Sequence, residues 1–299
     1  SGAAADDRGL RQRKGQYSMR TFTEEYNEFL TTHKFTSVNA GGLEFEVIDS
    51  GSGSRAVVFL NGVDMYQFWI KYVCTLEKNY RVVMMKYPLK VWKNTEMAAA
   101  LKALFTKLGI DSPILVGISD GGVLAQLYAK LYMVGGLIMV STLTVDSTYV
   151  ESVKKEKLYM PLMKVYIKNT KFDKLRVRLV ESVKKHFRNE TDEEKNYAVS
   201  FLECVGSDES YRYMFLRAIQ ATNDITRLER FKKSDFGYIA GKVLVLIPEN
   251  DMFDKADSQK LVDIFTDPVV KQTYGGHMGL VMRPDLYLPE IEHFLSERF

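Results

Sequence analysis

A serine flanked by glycines is the residue of this sequence whose setting most favours chemistry. Residues 117–122 read Gly-Ile-Ser-Asp-Gly-Gly, so Ser119 has one glycine two positions before it and another two positions after it. This spacing is typical of a nucleophile elbow, a strained turn from a strand into a helix that raises the serine Oγ above the sheet. The alternative is a tight glycine-rich turn without chemistry. The apolar run at residues 114–116 and the helical pattern after Gly121 favour the elbow.

A serine hydroxyl needs a base before it can attack a carbonyl carbon. The chain has four histidines. His33 lies near the N-terminus, His186 in a basic helical segment and His293 in the last helical segment. His277 lies in a glycine-rich loop just after the last apolar run, where a side chain can reach the elbow. We therefore predict that His277 is the base, with a purely structural loop histidine as the alternative.

The base in turn needs a carboxylate that fixes its tautomer and stabilises the imidazolium. The apolar run at residues 242–247 is followed by Glu249, Asp251 and Asp254. We predict Asp251 because it stands on the loop directly after the strand, while an Asx turn or a helix N-cap is the alternative role for an acidic residue there. The resulting order along the chain is Ser119, Asp251, His277.

An oxyanion hole requires two N–H groups. The backbone N–H of Asp120, directly after the serine, is the first candidate. The backbone N–H of Val63, in the loop after the first buried strand, is the second, with Asn61 and Gly62 supporting that loop. The Asp120 side chain has two interpretations: it attracts a substrate ammonium group, or it favours the helix N-terminus.

The elements that must position these residues alternate along the chain. Residues 42–48 alternate apolar and polar side chains, as a half-exposed strand does. Helical patterns cover residues 23–30, 95–108 and 121–131. Short apolar runs without alternation, which indicate strands buried on both faces, occupy residues 56–60, 81–87, 113–116, 137–140 and 242–247, and a weaker run occupies 269–274. Strand–helix alternation predicts a doubly wound, mostly parallel α/β sheet.

The alternation stops between residues 144 and 236, where the sequence is helical and rich in Lys, Tyr and Met. We predict that residues 19–143 and 237–299 form the core, that 144–236 form a helical cap, and that 1–18 are a disordered tail. The cap should lie over the carboxyl edge of the sheet, where ligands bind in open α/β sheets. Its basic residues indicate solvated helix faces, with an acidic substrate or a membrane surface as the alternative.

Composition limits the classes that remain. The 299 residues carry 41 Lys and Arg against 38 Asp and Glu, which does not favour a nucleic-acid-binding protein. The two cysteines, Cys74 and Cys204, are too few for a zinc site or a disulfide framework and fit a reducing compartment. Without a long apolar run or a signal-like N-terminus, we expect a cytoplasmic protein, monomeric or homodimeric, without integral membrane association.

From about Leu43 to its C-terminus, the chain resembles α/β-hydrolase-fold enzymes with a helical cap, of the esterase or acyl-hydrolase kind. The resemblance rests on the elbow and on the order Ser119, Asp251, His277. It implies an eight-stranded sheet and a catalytic triad without metal or organic cofactor. It also implies carboxylesterase-like hydrolysis of an ester, thioester or related acyl bond in a small to medium apolar substrate, through an acyl-enzyme. The loop departs from the family in having Asn61-Gly62 where His-Gly is usual. A non-catalytic binding or scaffold protein with this fold is the alternative.

Overall fold

The structure is a computed structural model and describes residues 20–299, so the predicted tail at residues 1–18 lies outside the described residues. One sheet of eight strands is its central layer, in the order β1-β2-β4-β3-β5-β6-β7-β8. The strands are β1 (Thr36–Ala40), β2 (Leu43–Ser50), β3 (Ala56–Leu60), β4 (Arg81–Lys86), β5 (Ile114–Ile118), β6 (Gly136–Val140), β7 (Val243–Asn250) and β8 (Val269–Gly276). Strand β2 is antiparallel to both of its neighbours, and the remaining pairs are parallel. The predicted mostly parallel, eight-stranded sheet is confirmed.

Helices cover both faces of this sheet. They are α1 (Phe22–Thr32), α2 (Ile70–Leu76), α3 (Asn94–Lys107), α4 (Asp120–Leu131), α5 (Thr148–Glu156), α6 (Met160–Asn169), α7 (Phe172–Lys184), α8 (Asp192–Val205), α9 (Tyr211–Ile225), α10 (Lys255–Asp263), α11 (Gly279–Met282) and α12 (Pro284–Arg298). Short 3₁₀ turns lie at Tyr66–Trp69, Lys157–Tyr159 and Lys233–Ile239.

Two apolar cores result from the alternation of side chains along the central strands. Val58 and Leu60 of β3 face the core that contains α3 and α4, whereas Val57 and Phe59 face the core that contains α2 and α12. Every residue of β3, β5 and β6 is buried. This double burial explains why these strands are continuous apolar runs in the sequence.

Helices α5 to α9 are inserted between β6 and β7, and we call residues 148–225 the insertion. Its helix α8 packs on α1, where the rings of Phe22 and Phe201 meet edge to face at 4.8 Å. Within residues 20–299, no helix combines the length and the apolar character that crossing a bilayer requires.

Candidate active site

Ser119 occupies a strained turn between β5 and α4. Its backbone has φ 54° and ψ −128°, a conformation that a residue with a Cβ rarely adopts. The turn is held by the Ser119 N–H, which donates to the carbonyls of Val140 and Ser141 at 3.3 and 3.2 Å. The hydroxyl of Thr142 donates to the Ser119 carbonyl at 2.5 Å. Ser119 therefore stands at the carboxyl end of a central strand, in a strained conformation that its surroundings enforce.

The glycine after this turn is required by close backbone packing. A Cβ on Gly121 would lie 2.6 Å from the carbonyl oxygens of both Leu60 and Asn61. Because β3 and β5 are neighbours, with Leu60 paired to Gly117, this packing brings the loop after β3 beside the elbow. The glycine pattern of the sequence thus reflects contact between these two loops.

His277 and Asp251 form a hydrogen-bonded pair. His277 Nδ1 lies 2.9 Å from Asp251 Oδ1, and this carboxylate oxygen also accepts the Met252 backbone N–H at 2.6 Å. An ionised carboxylate only accepts, so Nδ1 carries the proton and Nε2 is left as an acceptor. The Asp251 side chain is only 5% exposed, and the ring of Phe253 meets the imidazole edge to face at 5.3 Å.

Sheet register explains why these two residues meet. Asn250 of β7 pairs with Gly276 of β8 after a bulge at the end of the two strands. Asp251 and His277 are the next residues on each strand, so they leave the sheet side by side. A Cβ on Gly276 would lie 2.8 Å from the Asn250 carbonyl oxygen, so the close pairing depends on glycine at this position.

The competing acidic residues and histidines lie elsewhere. Asp254 caps α10 by accepting the Asp257 N–H at 2.7 Å, and Glu249 is exposed. His33 pairs with Glu77 at 2.9 Å. His186 is exposed, and His293 lies 3.5 Å from Glu297 on the outside of α12. Among the candidate carboxylates and histidines from the sequence, the structure pairs only Asp251 with His277 within residues 20–299.

Within the described chain, no hydrogen bond joins Ser119 Oγ to His277. Catalytic hydrogen bonds are often long in unliganded sites and shorten when substrate binds. Both residues follow strands at the carboxyl edge of the same sheet, and both are partly exposed there.

The second predicted oxyanion donor already has an acceptor. The Val63 backbone N–H donates to Asp120 Oδ1 at 2.7 Å. Burial raises the pKa of Asp120 to about 6, and hydrogen bonds from the N–H groups of Val63 and of Asp120 itself oppose that rise. Both predicted donors therefore point at one carboxylate. The contact with Val63 is additional to the two roles that the sequence suggested for the Asp120 side chain, which stands in the first turn of α4.

Asn61 supports the loop after β3 in place of the usual histidine. Its side-chain amide donates to the Met85 carbonyl at 2.8 Å, and its backbone N–H donates to the Tyr87 hydroxyl at 2.9 Å. A Cβ on Gly62 would lie 3.1 Å from Ser119 Cβ. The pair Asn61-Gly62 thus fixes the loop against β4 and lets it approach the elbow.

No protein-family model matches the chain, and no curated protein sequence matches it. Solved structures do match. An enol-lactonase from Burkholderia xenovorans superposes with a TM-score of 0.68 at 14% identity, over 87% of this chain and 100% of its own. The chain has the α/β-hydrolase fold.

Two further solved structures share this fold with the chain. A meta-cleavage product hydrolase from Pseudomonas fluorescens matches with a TM-score of 0.64 at 18% identity, over 88% of this chain and 98% of its own. An α/β hydrolase fold protein from Chitinophaga pinensis matches with a TM-score of 0.65 at 16% identity, over 88% of this chain and 98% of its own. At these identities the likeness describes the fold, and one fold carries many functions.

In this α/β-hydrolase fold, helix α9 of the insertion holds the loop after β3. Arg217 forms a bidentate ion pair with Asp64, and both side chains are almost fully buried. The Tyr211 hydroxyl donates to the Val63 carbonyl at 3.3 Å. Val63 and Asp64 have φ angles of 46° and 59°, which is strained for the β-branched valine. Sequence reasoning missed Arg217 and Tyr211, because nothing local marks a partner about 150 residues away.

Two cavities flank the site. A cleft of about 1190 Å³ beside β7 is lined by Asp251 together with Arg188 and Glu249. A smaller, apolar pocket of about 280 Å³ lies inside the insertion, between α6, α7 and α9. Neither is lined by Ser119 or His277. The apolar pocket is lined by Tyr211, which contacts the loop after β3.

Proposed function

We propose that this protein is a serine hydrolase that cleaves an ester, thioester or related acyl bond. The observation that carries the proposal is the pairing of His277 Nδ1 with Asp251, which makes Nε2 the acceptor nitrogen of the neutral imidazole at the sheet edge where Ser119 occupies its strained turn. The fold is shared with an enol-lactonase, and a lactone is a cyclic ester. These features together support acyl chemistry more than any other reaction class.

In the proposed mechanism, Ser119 Oγ attacks the acyl carbon while His277 Nε2 takes its proton. Asp251 stabilises the imidazolium that forms. His277 then gives the proton to the leaving group, and a covalent acyl-enzyme remains on Ser119. A water molecule, deprotonated by the same nitrogen, releases the acid and restores the hydroxyl.

The developing oxyanion needs the N–H groups of Val63 and Asp120. Because the Asp120 carboxylate accepts the Val63 N–H, the substrate carbonyl oxygen must displace that carboxylate. Two N–H groups that hold a carboxylate are also suited to holding an oxyanion, so this arrangement supports the assignment of the donors. It also means that the resting site is closed to substrate until Asp120 rotates away.

The insertion is proposed to act as a cap that selects the substrate. Its helix α9 contacts the loop after β3, and its internal pocket is lined mainly by apolar side chains, among them Met163, Phe172 and Phe215. Such walls favour an apolar acyl or alcohol group of small to medium size over a charged one. Fold and triad alone do not identify the natural substrate.

A second candidate function is a non-catalytic binding protein with this fold. The hydrogen bond from the Val63 N–H to Asp120 favours it, since a permanently occupied oxyanion hole would block acyl transfer. The two functions differ in whether Asp120 can leave the hole, which a covalent probe can measure.

Covalent labelling by a fluorophosphonate tests the proposed function. The probe should attach to Ser119, and Ser119→Ala should abolish labelling. Ser112→Ala, which removes an exposed serine outside the site, should label like the unchanged protein. If folded protein is not labelled even when Asp120→Ala has emptied the hole, the binding-protein alternative replaces the hydrolase.

A further inference from the structure

Helix α6 and the 3₁₀ turn before it present apolar side chains to solvent. Leu158 is 82% exposed and Leu162 is 68% exposed. We call this set the α6 surface, and its members are Leu158, Tyr159, Leu162, Met163, Val165 and Tyr166. Exposed apolar residues scattered singly are normal, but a contiguous set along one helix marks an interaction site.

The helix is attached to the protein at its C-terminal end. Ile167 is its only buried residue. The side chain of Arg212, on α9, donates to the carbonyls of Ile167 and Thr170, the second at 2.7 Å. Helix α6 therefore projects from the insertion, with most of its side chains exposed.

The α6 surface is surrounded by positive charge. Residues 148–188 contain nine Lys and three Arg against three Glu and one Asp, a net charge of +8 in a chain whose total is +3. Several of these cations have no acidic partner within residues 20–299. They are Lys154, Lys155, Lys157, Lys168 and Lys171.

We propose that the α6 surface docks on an anionic lipid bilayer. A helix with apolar side chains and flanking lysines binds at the bilayer interface, where the apolar groups enter the acyl boundary and the ammonium groups meet anionic headgroups. The long lysine stems allow their charges to stay at the level of the lipid phosphates. An exposed leucine or a basic helix face is common by itself, whereas their combination on a projecting helix matches this interface.

Other occupants fit the charge or the shape less well. In a symmetric contact between two copies of this chain, the same patch meets itself, so two strongly basic surfaces would face each other. An acidic protein could pair with the lysines. However, a peptide bound in the pocket between α6, α7 and α9 would leave Leu158, Leu162 and Val165 uncovered, because they do not line it.

A bilayer on the α6 surface would lie close to the apolar pocket of the insertion. Met163 and Tyr166 belong both to the surface and to the pocket wall. Tyr211 lines the same pocket and donates to the carbonyl of Val63 beside the elbow. A lipid acyl chain would then be the expected substrate class, and this consequence rests on the proposed function, whereas docking itself does not.

Vesicle co-sedimentation tests the docking. The full chain carrying Ser119→Ala is mixed with phosphatidylcholine vesicles with or without phosphatidylserine, so binding is measured apart from turnover. Binding should require phosphatidylserine and should weaken as salt screens the charges. Equal binding to both vesicle types, or none to either, would overturn the proposal.

Two kinds of substitution, one apolar and one electrostatic, separate the two contributions. Leu162→Glu should weaken binding by about tenfold or more, since it removes an apolar side chain that the bilayer would bury and adds a negative charge. Met133→Glu is the matched control, because Met133 is 62% exposed outside the insertion, and it should leave binding unchanged. Lys157→Gln and Lys168→Gln should each weaken binding about fivefold, and Lys107→Gln should not.

The same variants distinguish the other occupants. If Lys157→Gln weakens binding and Leu162→Glu does not, the surface is a general polyanion site, and the bilayer proposal is wrong. If gel filtration shows a dimer that Leu162→Glu dissociates, a second copy covers the surface and the proposal is also wrong. Loss of labelling at Ser119 with intact vesicle binding would reject the hydrolase and leave the docking in place.

Discussion

The carboxylate of Asp120 accepts the backbone N–H of Val63 at 2.7 Å, so the residue after the proposed nucleophile occupies a donor that an oxyanion would need. The two residues lie in loops that follow neighbouring strands, β3 and β5, and packing of Gly121 on the carbonyls of Leu60 and Asn61 holds these loops together. Asp120 thus acts as an internal anion in the site. Whether a substrate can react at Ser119 depends on how readily the Asp120 carboxylate moves away from the Val63 N–H.

Removing the carboxylate should speed reaction at Ser119. A hydrogen bond to a charged group contributes about 1.5–3 kcal/mol, so Asp120→Ala should raise the rate of fluorophosphonate labelling by about 10- to 100-fold. The second-order rate constant of labelling measures this directly. Asp111→Ala, at an exposed aspartate, is the control. A slower reaction in Asp120→Ala would mean that the carboxylate assists the chemistry.

The raised pKa of Asp120 also predicts a pH dependence of stability. Burial raises this pKa to about 6, with Asp64 adding to the rise and Arg217 opposing it. The folded protein therefore holds a proton that the unfolded chain releases between about pH 4 and pH 6, and this contribution to stability is lost as pH rises through the folded pKa.

Asp120→Asn should accordingly have a higher Tm than the unchanged protein at about pH 8, and the difference should shrink near pH 5. The amide keeps an oxygen that can accept the Val63 N–H, so the substitution changes mainly the charge. Thermal unfolding at both pH values is the measurement, with Asp111→Asn as the control. A difference that stays constant with pH would contradict the assignment.

The ion pair between Arg217 and Asp64 should be essential to the folded structure. Both side chains are at most 4% exposed, and the guanidinium also donates to the Val91 carbonyl at 3.1 Å. Arg217→Met leaves a buried, unpaired carboxylate, which should cost about 3–5 kcal/mol in the free energy of unfolding. Adding Asp64→Asn should recover part of that loss, since the unpaired charge is then gone.

Urea unfolding, which gives the free energy of unfolding of each variant, tests this prediction. Arg230, whose side chain is 74% exposed, pairs with Asp146 at 2.8 Å and offers a matched control. Arg230→Met should change the free energy of unfolding by less than about 1 kcal/mol. Equal effects of the two substitutions would show that the buried pair does not hold α9 on the loop after β3.

If the insertion pocket receives the acyl group, it should set a chain-length optimum. In a series of p-nitrophenyl esters, kcat/KM should rise with chain length and then fall, and each methylene should contribute at most about 1–3 kcal/mol. Phe215→Ala enlarges the pocket and should move the optimum to longer chains. Leu131→Ala, at an exposed position of α4, should not. An unchanged optimum in Phe215→Ala would place the acyl group outside this pocket.

The sequence predicted the sheet and the elbow because both depend on local patterns. Apolar runs mark strands buried on both faces, and the glycines around Ser119 mark close backbone contacts. The adjacency of Asp251 and His277 follows from the pairing and register of β7 and β8, which the folded sheet shows and the order of the buried runs does not fix.

The features that were not predicted from the sequence are not marked by apolar runs. Strand β1 lies at the sheet edge and is mostly exposed, so no apolar run marks it. A signal was present in Gly41 and Gly42, which both have positive φ and form the two-residue turn of the β1–β2 hairpin. The contacts from Asp120 to Val63 and from Arg217 to Asp64 depend on side chains that converge only after folding.

Asp251, rather than Asp254, should be the carboxylate that orients His277. Asp251 Oδ1 lies 2.9 Å from His277 Nδ1, whereas Asp254 caps α10 and contacts the Thr148 hydroxyl at 3.1 Å. Asp251→Asn offers an amide that can donate to the imidazole and so favours the wrong tautomer. We expect kcat to fall by about 10⁴, with little change in stability. Asp254→Asn keeps a good N-cap and should leave kcat nearly unchanged. Steady-state kinetics on both variants is the measurement, and a larger loss in Asp254→Asn would transfer the role to that residue.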